Sequence, residues 1–179
     1  MQPSTALSAY RAKYPLKPMQ IQPANPDQMI LMIGDDGLFE MPAAPANMAQ
    51  ITRHQSLPDT HEKAAEARYL WVIRSEDFPL ALEKCEWGQK LKGKKLKHSN
   101  LTGGKPAHSA GEIWFIAGNR VAMSASSGRY GAESDEELQY IVNALRSCEF
   151  YVASMGFDID NASRPNAIFV GEPDWQPPT

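Results

Sequence analysis

The sequence predicts an α+β fold, with an antiparallel sheet of about five strands and one strong helix packed on a face. Three observations predict it. Leu138, Ile141, Val142, Leu145 and Cys148 recur at helical spacing behind Ser134, an N-cap residue with Glu137 three positions on, the signature of a capping box. Tyr69–Ile73 reads YLWVI, a run of β-branched and aromatic residues. Residues 112–116 and 120–124 flank Ala117-Gly118-Asn119, a compact hairpin signal.

The elements follow in chain order. Ser4 opens a short helix over residues 5–14, with Leu7, Tyr10 and Tyr14 at helical spacing, and Pro15 and Pro18 end it. Residues 15–28 carry Pro15, Pro18, Pro23 and Pro26 and are extended. The apolar run 29–33, the turn Gly34-Asp35-Asp36-Gly37 and residues 38–41 read as strand, turn, strand. Residues 42–66 are rich in Pro, Ala, Asn and Gln and read as a linker with a turn or two of helix near 60–68. Residues 1–66 are thus a Pro-rich N-terminal extension with a short helix and a hairpin, too poor in apolar side chains for a core of its own.

Residues 67–171 form the α+β domain. Arg74-Ser75-Glu76-Asp77 turns the YLWVI strand into a return strand over 78–82. Residues 88–97 are a basic loop, and 101–104 break the chain again. A two-residue turn at Gly118-Asn119 pairs Ala117 with Arg120, which sets Trp114 opposite Met123 and Glu112 opposite Ala125. Both faces of that hairpin are apolar, so it is a central pair covered on each side. Residues 150–155 and 167–170 read as further strands, and 172–179, with Pro173, Pro177 and Pro178, as a loose tail.

Composition narrows the function classes. A chain of 179 residues fits one domain. A net charge of −3 excludes a general polyanion binder. Lys90, Lys92, Lys94, Lys95 and Lys97 nonetheless make one local basic patch, which fits RNA or a nucleotide at a single place. Cys85 and Cys148 form no CxxC and fit free thiols in a reducing compartment. The first 14 residues lack an apolar core, and no run of about 18 apolar residues occurs. The expectation is a soluble cytoplasmic protein that does not engage a membrane, with signal-independent export left as the alternative. His54, His61, His98 and His108 show no metal spacing, and HExxH, GxSxG, GxGxxG and the P-loop are absent, so no metal or cofactor is expected.

Chemistry concentrates between residues 97 and 131. The hairpin gathers Glu112, Ser127, Arg129 and Tyr130 at one end, and His98 arrives on the incoming loop. His98 titrates nearest neutral pH and is the acid–base candidate, and Glu112 becomes a base if burial raises its pKa. Arg129, between two glycines, suits a phosphate or carboxylate clamp. Tyr130 has a hydroxyl and a ring to position a substrate. Lys95, Lys97, Ser99 and Ser127 are candidate substrate contacts, and Gly103-Gly104 is a candidate anion cradle through its backbone N–H groups.

Lys97-His98-Ser99-x-Leu101-x-x-Gly104, Gly111-Glu112-Ile113 and Ser127-Gly128-Arg129-Tyr130 resemble a bacterial module with the pattern KH[ST]xLxxG…GE[IL]…SG[HR]Y. That module is similar to the C-terminal parts of some polymorphic toxins and effectors, and the resemblance spans about residues 69–157. It implies a toxin- or effector-like role without a settled activity. Arg129 stands where such modules have histidine, which leaves His98 as base or acid and Arg129 as charge stabiliser.

Three readings follow. The first is a metal-independent ribonuclease or other phosphate-ligand enzyme, in which His98 or Glu112 takes the 2′-hydroxyl proton while Arg129 and the lysine loop stabilise the phosphorane. The second is NAD-dependent ADP-ribosyl transfer, with Tyr130 stacking nicotinamide. The third is a non-catalytic interaction domain whose Pro-rich arm binds a protein partner.

Overall fold

The computed structural model describes residues 4–154 and 172–179. The fold is α+β, built on a six-stranded mixed sheet. The elements are α1 (Thr5–Lys13), β1 (Leu38–Glu40), α2 (His61–Glu66), β2 (Tyr69–Ile73), β3 (Pro79–Leu82), α3 (Glu86–Gln89), α4 (His98–Thr102), β4 (Ser109–Ile116), β5 (Arg120–Ser124), α5 (Asp135–Arg146) and β6 (Tyr151–Ser154), with short 3₁₀ turns between. The strand order is β1-β3-β2-β4-β5-β6. Every pair is antiparallel except β5 and β6, which run parallel. A parallel pair needs a crossover, and α5 supplies it. The expected purely antiparallel sheet of five strands is corrected on both counts.

One face of the sheet carries the larger core. Trp71, Ile73, Ile113, Phe115, Val121 and Met123 pack there against Leu7 and Tyr10 of α1 and Leu138, Ile141, Val142 and Leu145 of α5. Each buried α5 side chain contributes about 1.5–3 kcal/mol of transfer free energy before the entropy of ordering it. Two helices, not one, cover this face. They are joined by Glu137, whose carboxylate accepts from the Tyr10 hydroxyl and from Lys17 Nζ, each at 2.9 Å. Ser134 caps α5 as expected by accepting from Glu137 N at 3.1 Å, but the Glu137 carboxylate turns back to Glu133 N rather than to the N-cap backbone.

The central hairpin is shifted by one residue from the sequence expectation. Gly118 lies in the left-handed region at φ 76°, which makes Ala117-Gly118-Asn119 a three-residue loop. Ile116 therefore pairs with Arg120, Trp114 with Ala122 and Glu112 with Ser124. The slip gives Trp114 the small Ala122 as its partner in place of Met123, which now stands opposite Ile113, and Trp114 donates from Nε1 to Ala64 O at 2.7 Å. β4 is buried along its whole length, as a centrally placed strand must be.

Residues 4–66 share the body's core. Met41, Ala44 and Ile51 lie in it, and Thr52 N donates to the Tyr69 hydroxyl at 2.9 Å. The strand expected over 29–33 does not form. Pro26–Met29 and Gly34–Asp36 are 3₁₀ turns instead, and only Leu38–Glu40 joins the sheet, beside β3. Residues 30–33 serve as packing arms: Met32 is buried while Ile30 and Ile33 face outward.

Residues 172–179 are not loose. Gln176 exchanges two backbone hydrogen bonds of 2.9 Å with Val152, and Arg120 stands 5.5 Å from the Trp175 ring centroid. Gln176 thus fills part of the outer edge of β6, whose backbone groups need partners. The strand expected over 167–170 lies outside the described residues. Among those described, no helix is long and apolar enough to cross a membrane.

Candidate functional site

His98 does not sit on a loop. It opens α4, where Lys97 N donates to Asn100 Oδ1 at 2.9 Å and Gly103, at φ 62°, ends the helix in the left-handed region. Nε2 of His98 is 2.9 Å from the Gly111 carbonyl, and Nδ1 is 3.0 Å from the Ser127 hydroxyl. A carbonyl only accepts, so Nε2 carries the proton and Nδ1 receives the Ser127 O–H. The same Ser127 oxygen accepts from Arg129 N at 3.2 Å and Tyr130 N at 3.3 Å. Burial pushes the half-buried imidazole down to about 4, with Arg129 and Lys97 acting the same way against the Gly111 bond and Glu83. His98 is neutral at pH 7, and both ring nitrogens are occupied. It has no lone pair to offer a substrate.

Gly111 explains why these parts meet. A Cβ there would lie 2.0 Å from Ser124 O and 2.6 Å from the Trp71 ring. Only glycine lets the chain leaving β5 cross β4 so closely. The turn it feeds is closed by Ala110 N to Tyr130 O at 2.9 Å.

Glu112 lies on the second face of the sheet, in one row with Leu70 on β2 and Ser124 on β5. It separates the Leu70–Ala110–Tyr130 cluster from the Trp114–Ala122 cluster. The residue is only 7% exposed, and its Oε2 has no hydrogen-bond partner. Burial raises its pKa to about 7, against the opposing pull of Arg68. Arg68 bridges two buried carboxylates: Nε and Nη2 hold Glu83 Oε2 at 2.9 and 2.6 Å, while Nη1 stands 3.6 Å from Glu112 Oε1. Lys95 Nζ completes the group at 3.7 Å from Glu83 Oε1. Lys97 is lowered by burial first and then by the positive charges of Lys95 and Arg129.

The remaining candidates divide. Lys95, Lys97 and Arg129 stand in the same electrostatic neighbourhood as His98 and Glu83. Tyr130 and Ser99 are fully buried. The Tyr130 hydroxyl donates to Lys105 O at 3.0 Å and meets Thr102 Oγ1 at 3.0 Å, so it braces the turn rather than facing a substrate. Gly103-Gly104 is no anion cradle. Gly103 N donates to Ser99 O and Gly104 N to Thr102 Oγ1, while Leu31 and Met29 lie over the two glycines. Arg129 Nη2 donates to Gln28 Oε1 at 3.0 Å, and its buried Nε has no partner.

Arg68, Glu83 and Gln28 escaped the sequence reading. Arg68 and Glu83 stand just outside their strands, where a charge reads as a solvated rim. Strand alternation from Leu70 and Ala81 was the available signal that both turn to the Glu112 face. Gln28 had none, because its contact spans 101 positions of chain. Among the described residues no group of three or more His, Cys, Asp or Glu side chains is placed to hold a metal ion. A scan against protein-family models, a search of curated proteins and a search of solved structures each find no match.

Proposed function

We propose that the chain is a toxin-like ribonuclease that cleaves a phosphodiester with Glu112 as general base. The supporting observation is the buried Glu112 carboxyl, whose Oε2 has no partner although three cationic side chains, Arg68, Lys95 and Lys97, lie around it and Glu83. A carboxylate poised near neutral pH is matched to proton transfer at physiological pH. Oε2 takes the 2′-hydroxyl proton, the 2′-oxygen bonds to phosphorus, and the P–O5′ bond breaks. The leaving oxygen takes a proton back from Glu112 or from water, giving a 2′,3′-cyclic phosphate and a free 5′-hydroxyl. Charge growing on the non-bridging oxygens is met by Lys97 and Arg129. His98 is then a positioning residue: it holds Ser127, and Ser127 holds the turn that presents Arg129.

The test is cleavage of a defined RNA in EDTA by wild type and Glu112→Gln. The expected outcome is cyclic-phosphate ends with wild type and a loss of about 10²–10⁴-fold in the variant, the range removed with a general base. Equal activity in both would end the reading. NAD consumed while RNA stays intact would favour ADP-ribosyl transfer.

A second reading, a non-catalytic interaction domain, draws on two observations. His98, Asn100, Ser127 and Tyr130 all bond to other parts of the chain. Ile21, Ile30, Leu31 and Ile33 are exposed along one N-terminal stretch, a surface for a protein partner. In this reading Glu112→Gln leaves every phenotype intact.

A further inference from the structure

Residues 17–32 form a strap across the turns that carry the motif. Lys17 pairs with Ala107 and reaches Gly131 O with its Nζ at 2.9 Å. Gln20 N donates to Arg129 O at 3.1 Å, and Ile21 lies against Gly128. The strap's far end is pinned by Asn100, whose Nδ2 donates to Asp27 O at 2.9 Å and to Ile30 O at 3.0 Å. Between these anchors Gln28 sits on the Arg129 guanidinium.

The guanidinium edge that carries Nε and Nη2 is a two-donor fork, shaped for two oxygens on one atom. This chain shows the fork filled in Arg74, whose Nε and Nη2 go to the two carboxylate oxygens of Asp77. Arg129 presents the same edge to Gln28, which has one acceptor oxygen. Nη2 is satisfied, and Nε is left shielded from water with no partner. A buried donor without an acceptor is destabilising, and nothing else in the strap relieves it. Among the described residues Lys97 makes no ion pair, and its charge acts beside that of Arg129 on His98.

We propose that the Arg129 fork is a masked phosphate site, that Gln28 of the strap is its internal one-oxygen occupant, and that a phosphate group gains the site by displacing Gln28. The inference rests on Arg129 being an oxyanion clamp, and it is independent of whether Glu112 cleaves RNA. Phosphate is favoured over carboxylate because Lys97 adds a second positive charge to a fork that one carboxylate would already neutralise. The strap thereby becomes a cover: while it lies in place, the fork is closed to ligand.

The experiment titrates inorganic phosphate, and acetate in parallel, into the full chain and into Gln28→Ala, Gln28→Glu and Gln28→Ala/Arg129→Gln. Phosphate is expected to bind Gln28→Ala about ten-fold more tightly than wild type, the effect of removing one competing hydrogen bond to a charged group. The double variant is expected to lose that gain. Gln28→Glu supplies two oxygens, so it is expected to raise the melting temperature and to abolish phosphate binding. Amide exchange over residues 20–32 is expected to speed up when phosphate is added to wild type. Equal phosphate affinity in wild type and Gln28→Ala overturns the proposal, as does a Gln28→Glu protein no more stable than wild type or acetate binding as tightly as phosphate. Tighter phosphate binding by Gln28→Ala in a protein that cuts no RNA upholds the masked site and removes the ribonuclease reading alone.

Discussion

The Ser127 hydroxyl donates to Nδ1 of His98 across 3.0 Å, and through that bond two stretches 29 positions apart become one unit. The hydroxyl is the hub: it gives its proton to the ring and accepts from two backbone N–H groups of the following turn. The ring in turn is fixed to β4 by Gly111 O. Three separate pieces of the motif thus hold each other.

Ser127→Ala leaves Nδ1 without a donor and two turn N–H groups without an acceptor. Urea denaturation is expected to show a loss of about 1–3 kcal/mol, the penalty for stranding partly buried polar groups. Ser127→Thr keeps the hydroxyl and is expected to recover most of it. Equal stability of wild type and the alanine variant would show that the pairing is incidental.

Gly111 and Gly118 differ in why they are glycine. At Gly111 an added methyl meets backbone and the Trp71 ring, none of which is the end of a flexible side chain. Gly111→Ala is expected to destabilise by roughly 3 kcal/mol or more, the upper range for overpacking. At Gly118 nothing lies within 4 Å and only the left-handed φ matters, so Gly118→Ala is expected to lose about 1–2 kcal/mol. Thermal melts of the two variants side by side test the order.

Stability should respond to pH through Glu112 and His98 in opposite senses. Glu112 is raised from its unfolded value of 4.5 to about 7, so its contribution is fully present below pH 4.5 and is lost as pH rises to 7. His98 is lowered from 6.5 to about 4, so its contribution is present above pH 6.5 and is lost as pH falls towards 4. Glu112→Gln removes the first and unmasks the second. Between pH 4.5 and 6.5 its stability is expected to rise with pH more steeply than wild type, by up to about 1.4 kcal/mol per pH unit. At pH 8 the variant is expected to be the more stable protein, because it no longer buries a charge. Parallel slopes would show that Glu112 titrates as an ordinary carboxyl.

Asn100 is fully buried; its side chain anchors the strap with two hydrogen bonds, given to Asp27 O and Ile30 O, and accepts a third from Lys97 N at the start of α4. Asn100→Ala is expected to cost about 3 kcal/mol, at roughly 1 kcal/mol per bond. Amide exchange should accelerate first in residues 26–32, ahead of the sheet. Protection lost uniformly across the molecule would show that the strap does not open by itself.

Local chemistry wrote several elements plainly into the chain. Ser4 and Ser134 each accept from a backbone N–H three residues on, as N-caps do, and the helices behind them run as their apolar spacing implies. YLWVI is a buried strand from end to end. Glu112 was legible as a candidate because it opens the expected strand close to Trp114, where burial raises a carboxyl. The 29–33 run misled because apolar composition alone does not distinguish a strand from packing arms. The tail misled because proline content says nothing about an open sheet edge waiting at β6.

The sequence by itself determined the α+β class, the two capped helices, the central hairpin and the cluster of polar residues at its open end. The class, the helices and the hairpin rest on patterns and contacts within a few residues, where side-chain periodicity and capping chemistry act directly, and the hairpin then returns the polar residues to one end. Only the tertiary structure decided the hairpin register, the parallel last strand, the occupied ring of His98, the orphaned oxygen of Glu112 and the meeting of Gln28 with Arg129. Those depend on which groups from distant parts of the chain share a water-poor space. Burial sets protonation and leaves donors unpaired, and no local pattern encodes it.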